Sequence, residues 1–412
     1  MPDLLNTGDT AWVLASAALV LFMTPGLAFF YGGMVRGKHV LGMLMQNFFC
    51  MGLVSVLWAT VGFSLAFGDG GKYIGNFDFA FLKDLDQATT TVPGLEALTI
   101  PAILFCAYQL MFAIITPALI TGATADRLKW KSWVVLLALW SILVYSPVAH
   151  WVFSPTGWLF QEGAFDFAGG TVVHINAGIA ALAIVLIIGK RRGYPNEPMP
   201  PHSLPWTLIG TGILWFGWFG FNAGSALGAN QLAAQALINT HMAAAAAMLS
   251  WLIVEKLKDG HATTLGGASG AVAGLVAITP CAGFVSVMPA IAIGLVAGAL
   301  CYLAIGLKRR FGYDDALDVV AVHLVGGIVG SLLLGLFATS KVNSAVTDGW
   351  FNGGGSELLG KQAMAVGVTI VFSFVVTFII AKVIDVTMGL RVDETAENEG
   401  LDLSQHAETA YS

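Results

Sequence analysis

The stretches "DFAGGTVVHINAG" (166–178) and "DALDVVAVHLVGG" (315–327) decide the fold. In each, an aspartate is followed eight residues later by a histidine in an otherwise apolar run, and four residues after that by a glycine. Eight residues of helix rise about 12 Å, so each histidine would lie near the middle of a hydrocarbon layer about 30 Å thick. Because an unpaired imidazole is costly there, His174 and His323 are predicted to hydrogen-bond each other.

The composition is that of an integral membrane protein. Of the 412 residues, 11% are charged and 57% are hydrophobic, whereas charged residues make up about a quarter of a soluble domain. The net charge of −6 comes mostly from an acidic loop at 68–97 and an acidic tail, and neither resembles a nucleic-acid surface. The four cysteines lie singly in apolar runs, so neither a zinc site nor a disulfide framework is indicated.

Eleven apolar runs are long enough to cross a bilayer as helices. We therefore predict an all-α membrane protein with a transmembrane domain at 1–388 and a tail at 389–412. Residues 1–9 carry no basic segment, so the first run is expected to be a retained span rather than a cleaved signal peptide. The runs cover about 10–34, 40–67, 98–124, 132–150, 169–189, 204–223, 231–255, 262–280, 284–306, 316–338 and 358–388.

The distribution of basic residues predicts the orientation. If the loop after the first span is cytoplasmic, that side collects 15 of the 19 Lys and Arg residues, which places the N-terminus outside and the C-terminal tail inside. Eleven spans divide into two sets of five with opposite orientation plus one extra helix, which is the condition for an inverted repeat. The two histidine runs would then enter the membrane from opposite faces, and the glycines beside them, Gly178, Gly326, Gly327 and Gly330, would allow close approach.

Aromatic and hydroxyl side chains flank this pair. Trp218, Phe221 and Ser225 occupy positions i, i+3 and i+7 at the outer end of the sixth run, so one helical face would present two rings and a hydroxyl. An aromatic face attracts a cation by about 0.5–2 kcal/mol, and a hydroxyl oxygen accepts a hydrogen bond from it. Taken alone, the rings are equally well explained by an interfacial aromatic belt, and Phe112 in the third run by core packing.

The conduit predicted between these groups suits a small polar neutral molecule or a proton relay. Two imidazoles in an apolar neck offer no fixed charge to replace the hydration shell of an ion. A vestibule that attracts cations above such a neck implies that the cargo loses a proton between them. Ammonium fits this description, and potassium does not because it has no proton to lose.

Two other classes of protein stay open. An ammonium sensor could use the same fold, although the tail from Gly389 onwards is short, which favours transport. A redox membrane enzyme could use His174 and His323 as haem or metal ligands, but the chain lacks further paired ligands. We therefore expect no metal, no cofactor and no enzymatic activity.

Several stretches resemble the ammonium transporter family (Amt, MEP and Rh proteins), and its bacterial Amt branch in particular, over nearly the whole chain. They include the two histidine stretches, "GWFGFNAGSA", "TPGLAFFYGGMVRGKHVLGMLMQN", "LGGASGAVAGLVAITPCAGFV" and "GLRVDETAENEGLDLSQHAETAY". The resemblance implies an eleven-helix protomer with one pore, assembled as a homotrimer in the bacterial cytoplasmic (inner) membrane. It also implies a cytoplasmic regulator, a P-II protein of the GlnK kind.

The resemblance further implies a role for each candidate residue. Phe153 stands where the family usually has a tryptophan, and it retains a π face; Trp151 or Trp158 could take that place if the loop register shifts. The basic loops 126–131, 190–192 and 308–310 offer a surface for the regulator, although membrane orientation alone also explains their charge. The implied roles are ammonium recruitment by Ser225, Phe112, Trp218 and Phe153, a gate of Phe112 and Phe221, a pore pair of His174 and His323, and a structural or electrostatic role for Asp166.

Overall fold

The computed structural model describes residues 4–87 and 90–411, and all helices and turns in these ranges belong to one α-helical bundle. Short helical turns at Ala80–Leu82, Trp158–Gln161 and Trp350–Asn352 interrupt the loops on one face. We number the longer helices, and the two of the tail, in chain order: α1 (Thr7–Met34), α2 (Gly37–Phe67), α3 (Ala102–Thr124), α4 (130–153), α5 (Gly170–Ile188), α6 (Leu204–Gly224), α7 (Gln231–Asp259), α8 (Thr264–Ile278), α9 (Val287–Phe311), α10 (Val320–Phe337), α11 (Glu357–Met388), α12 (Glu394–Glu399) and α13 (Leu401–His406).

Within the described ranges, nine helices are long and apolar enough to cross a membrane. They are α1 to α5, α7 and α9 to α11, and they establish the all-helical membrane class. Two predicted runs, 204–223 and 262–280, fall outside this set. The first forms the 21-residue α6, whose glycines, tryptophans and Asn222 lower its hydropathy. The second forms α8, which has only 15 residues.

Glycines bring the helices of the bundle into backbone contact. A Cβ added at Gly26 of α1 would lie 2.6 Å from Ile213 of α6, and one at Gly210 of α6 would lie 2.3 Å from the backbone nitrogen of Phe30. The same device joins α9 to α7, where a Cβ at Gly294 would lie 2.3 Å from the carbonyl oxygen of Ala243. Close packing of small residues replaces the hydrophobic driving force that is missing between helices in lipid.

Helices α5 and α10 cross at the centre of the bundle. A Cβ added at Gly178 of α5 would lie 2.5 Å from the backbone nitrogen of Leu324, and one at Gly327 of α10 would lie 2.8 Å from Ile175. Each helix opens with a π-helical segment, Gly170–Ile175 in α5 and Val320–Val325 in α10. Such segments are rare in proteins, and where they do occur they are often at functional sites.

The two ends of the bundle differ in how they are closed. We call the end where α1 begins the N-terminal face and the opposite end, where residues 389–411 pack, the tail face. On the tail face the backbone nitrogen of Val392 donates to the carbonyl of Arg127 at 3.0 Å, and the carboxylate of Asp402 accepts from the backbone nitrogen of Gly42 at 2.8 Å. The tail is therefore packed against the start of α2 and the loop that follows α3.

The contact at Gly178 predicts an effect on stability. Gly178→Ala places a methyl group against the backbone of α10, and we expect overpacking to cost about 1–3 kcal/mol. Gly367→Ala in α11, where an added Cβ meets nothing within 4 Å, is the matched control and is expected to unfold at the wild-type temperature or above, because alanine favours the helix. Thermal unfolding in detergent, followed by tryptophan fluorescence, measures both. Equal unfolding temperatures for the two variants would contradict the predicted contact.

Candidate functional site

The two histidines predicted to meet do so at the centre of the bundle. The Nδ1 atoms of His174 and His323 are 3.2 Å apart, and the rings are nearly parallel, with centroids 5.3 Å apart and planes at 17°. The side chains are 1% and 3% exposed, and Nε2 of His174 has no hydrogen-bond partner. Because one Nδ1 must donate and the other accept, one ring carries its proton on Nδ1 and the other carries it on Nε2.

A carboxylate at the start of each helix orients its histidine segment. Asp166 accepts four backbone hydrogen bonds, from Gly169, Gly170, Thr171 and Val172, at 2.7–3.2 Å. The turn that allows this passes through Gly169 at φ 124°, a conformation that favours glycine. Asp315 accepts from the backbone nitrogen of Val320 at 2.7 Å. Asp166 thus satisfies the unpaired amides at a helix start, and its bonding is consistent with a structural role.

A tryptophan fixes the orientation of His174. The indole of Trp218 stacks on the His174 ring, with centroids 5.4 Å apart and planes at 16°. Its Nε1 donates to Oγ1 of Thr279 at 2.9 Å, and that hydroxyl donates to the carbonyl of Leu275 at 2.8 Å. Both Trp218 and Thr279 are buried, so the indole is held between α8 and the imidazole.

Two phenylalanines pack together on the N-terminal side of the histidines. The rings of Phe112 and Phe221 have centroids 4.4 Å apart and planes at 48°, and both are buried. The Phe221 ring also lies 6.0 Å from that of His174. On the histidine side of Phe221, a cavity of about 10 Å³ is lined by His174, His323 and apolar side chains. This volume is at the lower limit of what one water molecule needs.

A larger cavity of about 200 Å³ opens on the N-terminal side of the phenylalanines. It brings together four of the residues predicted from sequence: Phe112, Phe153, Asp166 and Ser225. Trp151 and Trp158 do not line it. Instead, Trp151 packs against Phe372 with ring centroids 4.6 Å apart, so Phe153 supplies the π face at this position.

The predicted place of Trp218 beside Ser225 is wrong. Trp218 lines the small cavity with the histidines and does not line the larger cavity with Ser225. Seven residues separate the two along α6, and seven residues of helix rise about 10 Å. They therefore share a helical face but lie at different depths, with Phe221 between them.

Other residues of the site had only a weak signal in the sequence. Gln109, Phe165 and Phe284 also line the larger cavity, and Tyr108 lies behind it with its hydroxyl 3.2 Å from Ser225 Oγ. Tyr108 and Gln109 lie four and three residues before Phe112 in "AYQLMFAIITPALITGA", so helical spacing puts them on the same side of α3 as Phe112. Thr279 and Phe284 follow α8, and nothing in the sequence places them beside α6.

The tail face has its own cavity and a buried charge cluster. A cavity of about 490 Å³ is lined by Arg191, Tyr194, Lys308 and Arg309, among others. Arg191 holds the carboxylate of Asp314 through two hydrogen bonds of 2.9 Å. Burial alone would raise the pKa of Asp314, but the hydrogen bonds and charge of Arg191, with the charge of Arg127, outweigh it and hold that pKa below its ordinary value.

Part of the basic surface expected on this face is buried. The guanidinium of Arg127 is enclosed and donates to the carbonyl oxygens of Gly189 and Asp314 at 2.9 and 2.6 Å, and burial lowers its pKa to about 10. Arg127 and Arg191 therefore serve the fold, because buried charges need partners inside the protein. The basic side chains that do reach the surface in these loops are Lys131, Lys190, Arg192, Arg309 and Arg310.

Potential metal ligands do not gather elsewhere. In the ranges 4–87 and 90–411, no group of three or more His, Cys, Asp or Glu side chains is placed to hold a metal ion. The histidine pair itself lies among apolar side chains and the indole of Trp218.

Comparison with known proteins places the chain among relatives that share its full length. Residues 11–411 match the Ammonium Transporter Family. The ammonium transporter of Mycobacterium tuberculosis (strain ATCC 25618 / H37Rv) is 52% identical over 98% of this chain and 90% of its own length. That of Bacillus subtilis (strain 168) is 47% identical over 99% of both. The crystal structure of Mep2 from Candida albicans superposes with a TM-score of 0.88 at 36% identity, covering 95% of this chain and 88% of Mep2.

Proposed function

The chain belongs to the ammonium transporter family, and we propose that it recruits NH4+ at its N-terminal face, removes a proton and conducts NH3 past His174 and His323. Membership of the family supports ammonium transport across a membrane by a multi-pass helical protein. The detailed route is our proposal. The observation that carries it is the hydrogen bond between the Nδ1 atoms of His174 and His323, which are 3.2 Å apart. This bond keeps both rings paired among apolar side chains.

Recruitment is assigned to the cavity of about 200 Å³. The Ser225 hydroxyl offers an acceptor for an N–H donor, and the rings of Phe112 and Phe153 offer faces that attract a cation by about 0.5–2 kcal/mol. The carboxylate of Asp166 already accepts four backbone amides, so it supports the cation through its charge rather than by direct contact. This set of groups favours a small cation that carries N–H bonds.

Passage beyond the cavity favours a neutral species. The packed rings of Phe112 and Phe221 and the small cavity next to them offer no carboxylate to replace the hydration shell of an ion. Potassium cannot shed its charge, whereas ammonium can release a proton and continue as NH3. The proton either returns to the N-terminal side or follows by a separate route.

The histidine pair then provides the hydrogen bonds that NH3 needs. Since the Nδ1 atoms are engaged with each other, one Nε2 carries a proton and donates, and the other has a free lone pair and accepts. NH3 can do both, because it has three N–H bonds and one lone pair. No cofactor or covalent step is required, so the activity is transport and not catalysis.

Replacing either histidine by a carboxylate tests this route. His174→Asp and His323→Asp introduce a group that can hold a cation, so we expect either loss of ammonium flow or a new current carried by K⁺. Currents evoked by ammonium and potassium pulses on a solid-supported membrane measure both outcomes, with His261→Asp in an exposed loop as the control. Wild-type flow and selectivity in both pore variants would remove the pair from the transport path.

We propose that α6 and α8 complete a set of eleven spans. Both pack inside the bundle: α6 lies along α1, and Gly274 of α8 would meet the carbonyl oxygen of Ala243 in α7 at 2.5 Å if it carried a Cβ. Two inverted sets of five helices and the extra α11 then form the transmembrane domain at 1–388, with the tail at 389–412. The excess of basic residues in loops of the tail face supports a cytoplasmic tail and an outer N-terminus in the bacterial inner membrane.

Cysteine labelling tests the orientation. The four native cysteines are buried, so an added thiol reports alone. We expect Lys72→Cys to react with an impermeant maleimide in intact cells, and Lys256→Cys to react only after the membrane is opened. The opposite pattern would reverse the proposed topology.

We further propose a homotrimer, supported by one polar residue on the lipid-facing surface of the bundle. His241 is the eleventh residue of α7, so it lies about 15 Å along that helix, and it is exposed. Its ring lies 5.5 Å from that of Trp215, whose Nε1 is buried without a partner. An imidazole facing hydrocarbon at this depth is costly, so contact with a second copy is favoured over contact with lipid.

The mass of the detergent complex tests the assembly. We expect native mass spectrometry to give three times the protomer mass of 43.3 kDa. His241→Glu should reduce the trimer fraction because it buries a charge in the contact, while His261→Glu in a loop should leave the fraction unchanged. A monomeric wild type would end this proposal.

The tail face is the proposed site for a P-II protein of the GlnK kind. Lys131, Lys190, Arg192, Arg309 and Arg310 are exposed there, and Arg309 also lines the cavity of about 490 Å³. Such a surface suits a partner with acidic or polar loops. Binding of a purified P-II protein to membranes opened on this face is the direct measurement, and an absence of binding would remove this partner.

A further inference from the structure

The hydroxyl of Tyr108 lies behind Ser225, on the side away from the recruitment cavity. Tyr108 is in α3, one turn before Phe112, and its side chain is completely buried. Its oxygen is 2.9 Å from the carbonyl oxygens of Gly220 and Phe221 and 3.2 Å from Ser225 Oγ. Ser225 lines the cavity and Tyr108 does not. The tyrosine therefore contacts the recruiting hydroxyl without facing the cargo.

The end of α6 leaves carbonyl groups that need donors. The backbone nitrogen of Ser225 donates to the carbonyl oxygens of Asn222 and Ala223 rather than to that of Phe221, as is common where a helix tightens at its last turn. The Ser225 hydroxyl lies 2.8 Å from the carbonyl oxygen of Phe221 and donates to it. Two hydroxyls, those of Ser225 and Tyr108, thus converge on the last carbonyls of the helix.

Counting protons limits what Ser225 can offer to the cavity. Each hydroxyl has one proton. If Ser225 donates to the Phe221 carbonyl, Tyr108 can donate to Ser225 Oγ. If Ser225 donates to Tyr108, the tyrosine proton goes to a carbonyl. The two hydroxyls can also donate to carbonyls at the same time, Tyr108 to Gly220 and Ser225 to Phe221. In each of these arrangements the serine proton points into the protein, and a lone pair of Oγ points into the cavity.

We propose that Tyr108 is a positioning residue that holds the Ser225 hydroxyl as a hydrogen-bond acceptor for NH4+; this inference rests on the function proposed above. Ammonium has only donors to offer, so an acceptor fixed in advance binds it without reorientation. The edge of the Tyr108 ring also packs on Phe112, with centroids 5.0 Å apart and planes at 73°. One side chain thereby places both the hydroxyl and one of the aromatic faces.

A glycine makes room for this arrangement. A Cβ at Gly224 would lie 2.7 Å from the Tyr108 hydroxyl oxygen and 2.6 Å from Cβ of Ser16. The position next to Ser225 therefore has to lack a side chain if the tyrosine hydroxyl is to reach the helix end.

Tyr108→Phe removes the hydroxyl and little else. We expect the ammonium concentration at half-maximal current to rise about three- to tenfold, the range of one hydrogen bond, while the maximal current stays within about twofold, since the pore is unchanged. Tyr31→Phe is the matched control: Tyr31 is equally buried, and its hydroxyl donates to a helix carbonyl, that of Leu119, at 3.0 Å. It should leave the half-maximal concentration unchanged.

A double-mutant cycle separates positioning from general support of the fold. Ser225→Ala is expected to raise the half-maximal concentration, with flow at high ammonium largely intact. If Tyr108 acts through Ser225, adding Tyr108→Phe to Ser225→Ala should cause no further rise. If the tyrosine only supports the helix end, the two effects should multiply.

Three results would overturn the inference. They are a wild-type half-maximal concentration in Tyr108→Phe, effects that multiply in the double variant, and failure of Tyr108→Phe to reach the membrane when Tyr31→Phe does. These outcomes differ from failure of the proposed function, in which the wild-type protein itself gives no ammonium response. A response that Ser225→Ala weakens and Tyr108→Phe leaves unchanged would reject the inference alone.

Discussion

The whole structure depends on the need to satisfy two imidazoles inside a hydrocarbon layer. Neither His174 nor His323 has an acid or a water-filled surface nearby, so each is the other's partner. Bringing them together requires α5 and α10 to pack closely, as they do at Gly178 and Gly327. The glycines at the crossing, the π-helical segments and the stacked indole of Trp218 all serve to hold that one bond.

The two halves solve the same problem with different surroundings. Asp166 and Asp315 each precede a histidine by eight residues. Each also accepts a hydrogen bond from the backbone amide five residues later, that of Thr171 or Val320. Around Asp166 the protein builds an aromatic cavity with one hydroxyl. Around Asp315 it builds ion pairs, including Lys308 with Asp318 at 2.6 Å. The shared backbone plan places the two histidines, and the side chains that differ give the two sides of the pair different chemistry.

Much of the core of the site could be predicted from the sequence, because it depends on spacing along single helices. The same interval from aspartate to histidine in two apolar runs predicts that His174 and His323 meet, although the helices begin at Gly170 and Val320 rather than at the aspartates. Relations between helices were less accessible. Trp218 and Ser225 lie seven residues apart along α6 and its end, but only the stacking of Trp218 on His174 and its hydrogen bond to Thr279, just after α8, show that the tryptophan packs with the histidines. Likewise, the role of the Tyr108 hydroxyl depends on its contacts with the end of α6, and no sequence pattern in α3 predicts these contacts.

Gly178 and Gly327 have a consequence for the distance between the two imidazole rings. At both positions the opposing helix lies so close that no side chain fits between the backbones. The separation of the imidazole rings is thus set by direct contact between α5 and α10, with the main chain of Leu324 against Gly178 and Ile175 against Gly327. Changes in lipid thickness or in the aliphatic residues around the bundle can tilt or loosen its periphery while leaving that separation the same.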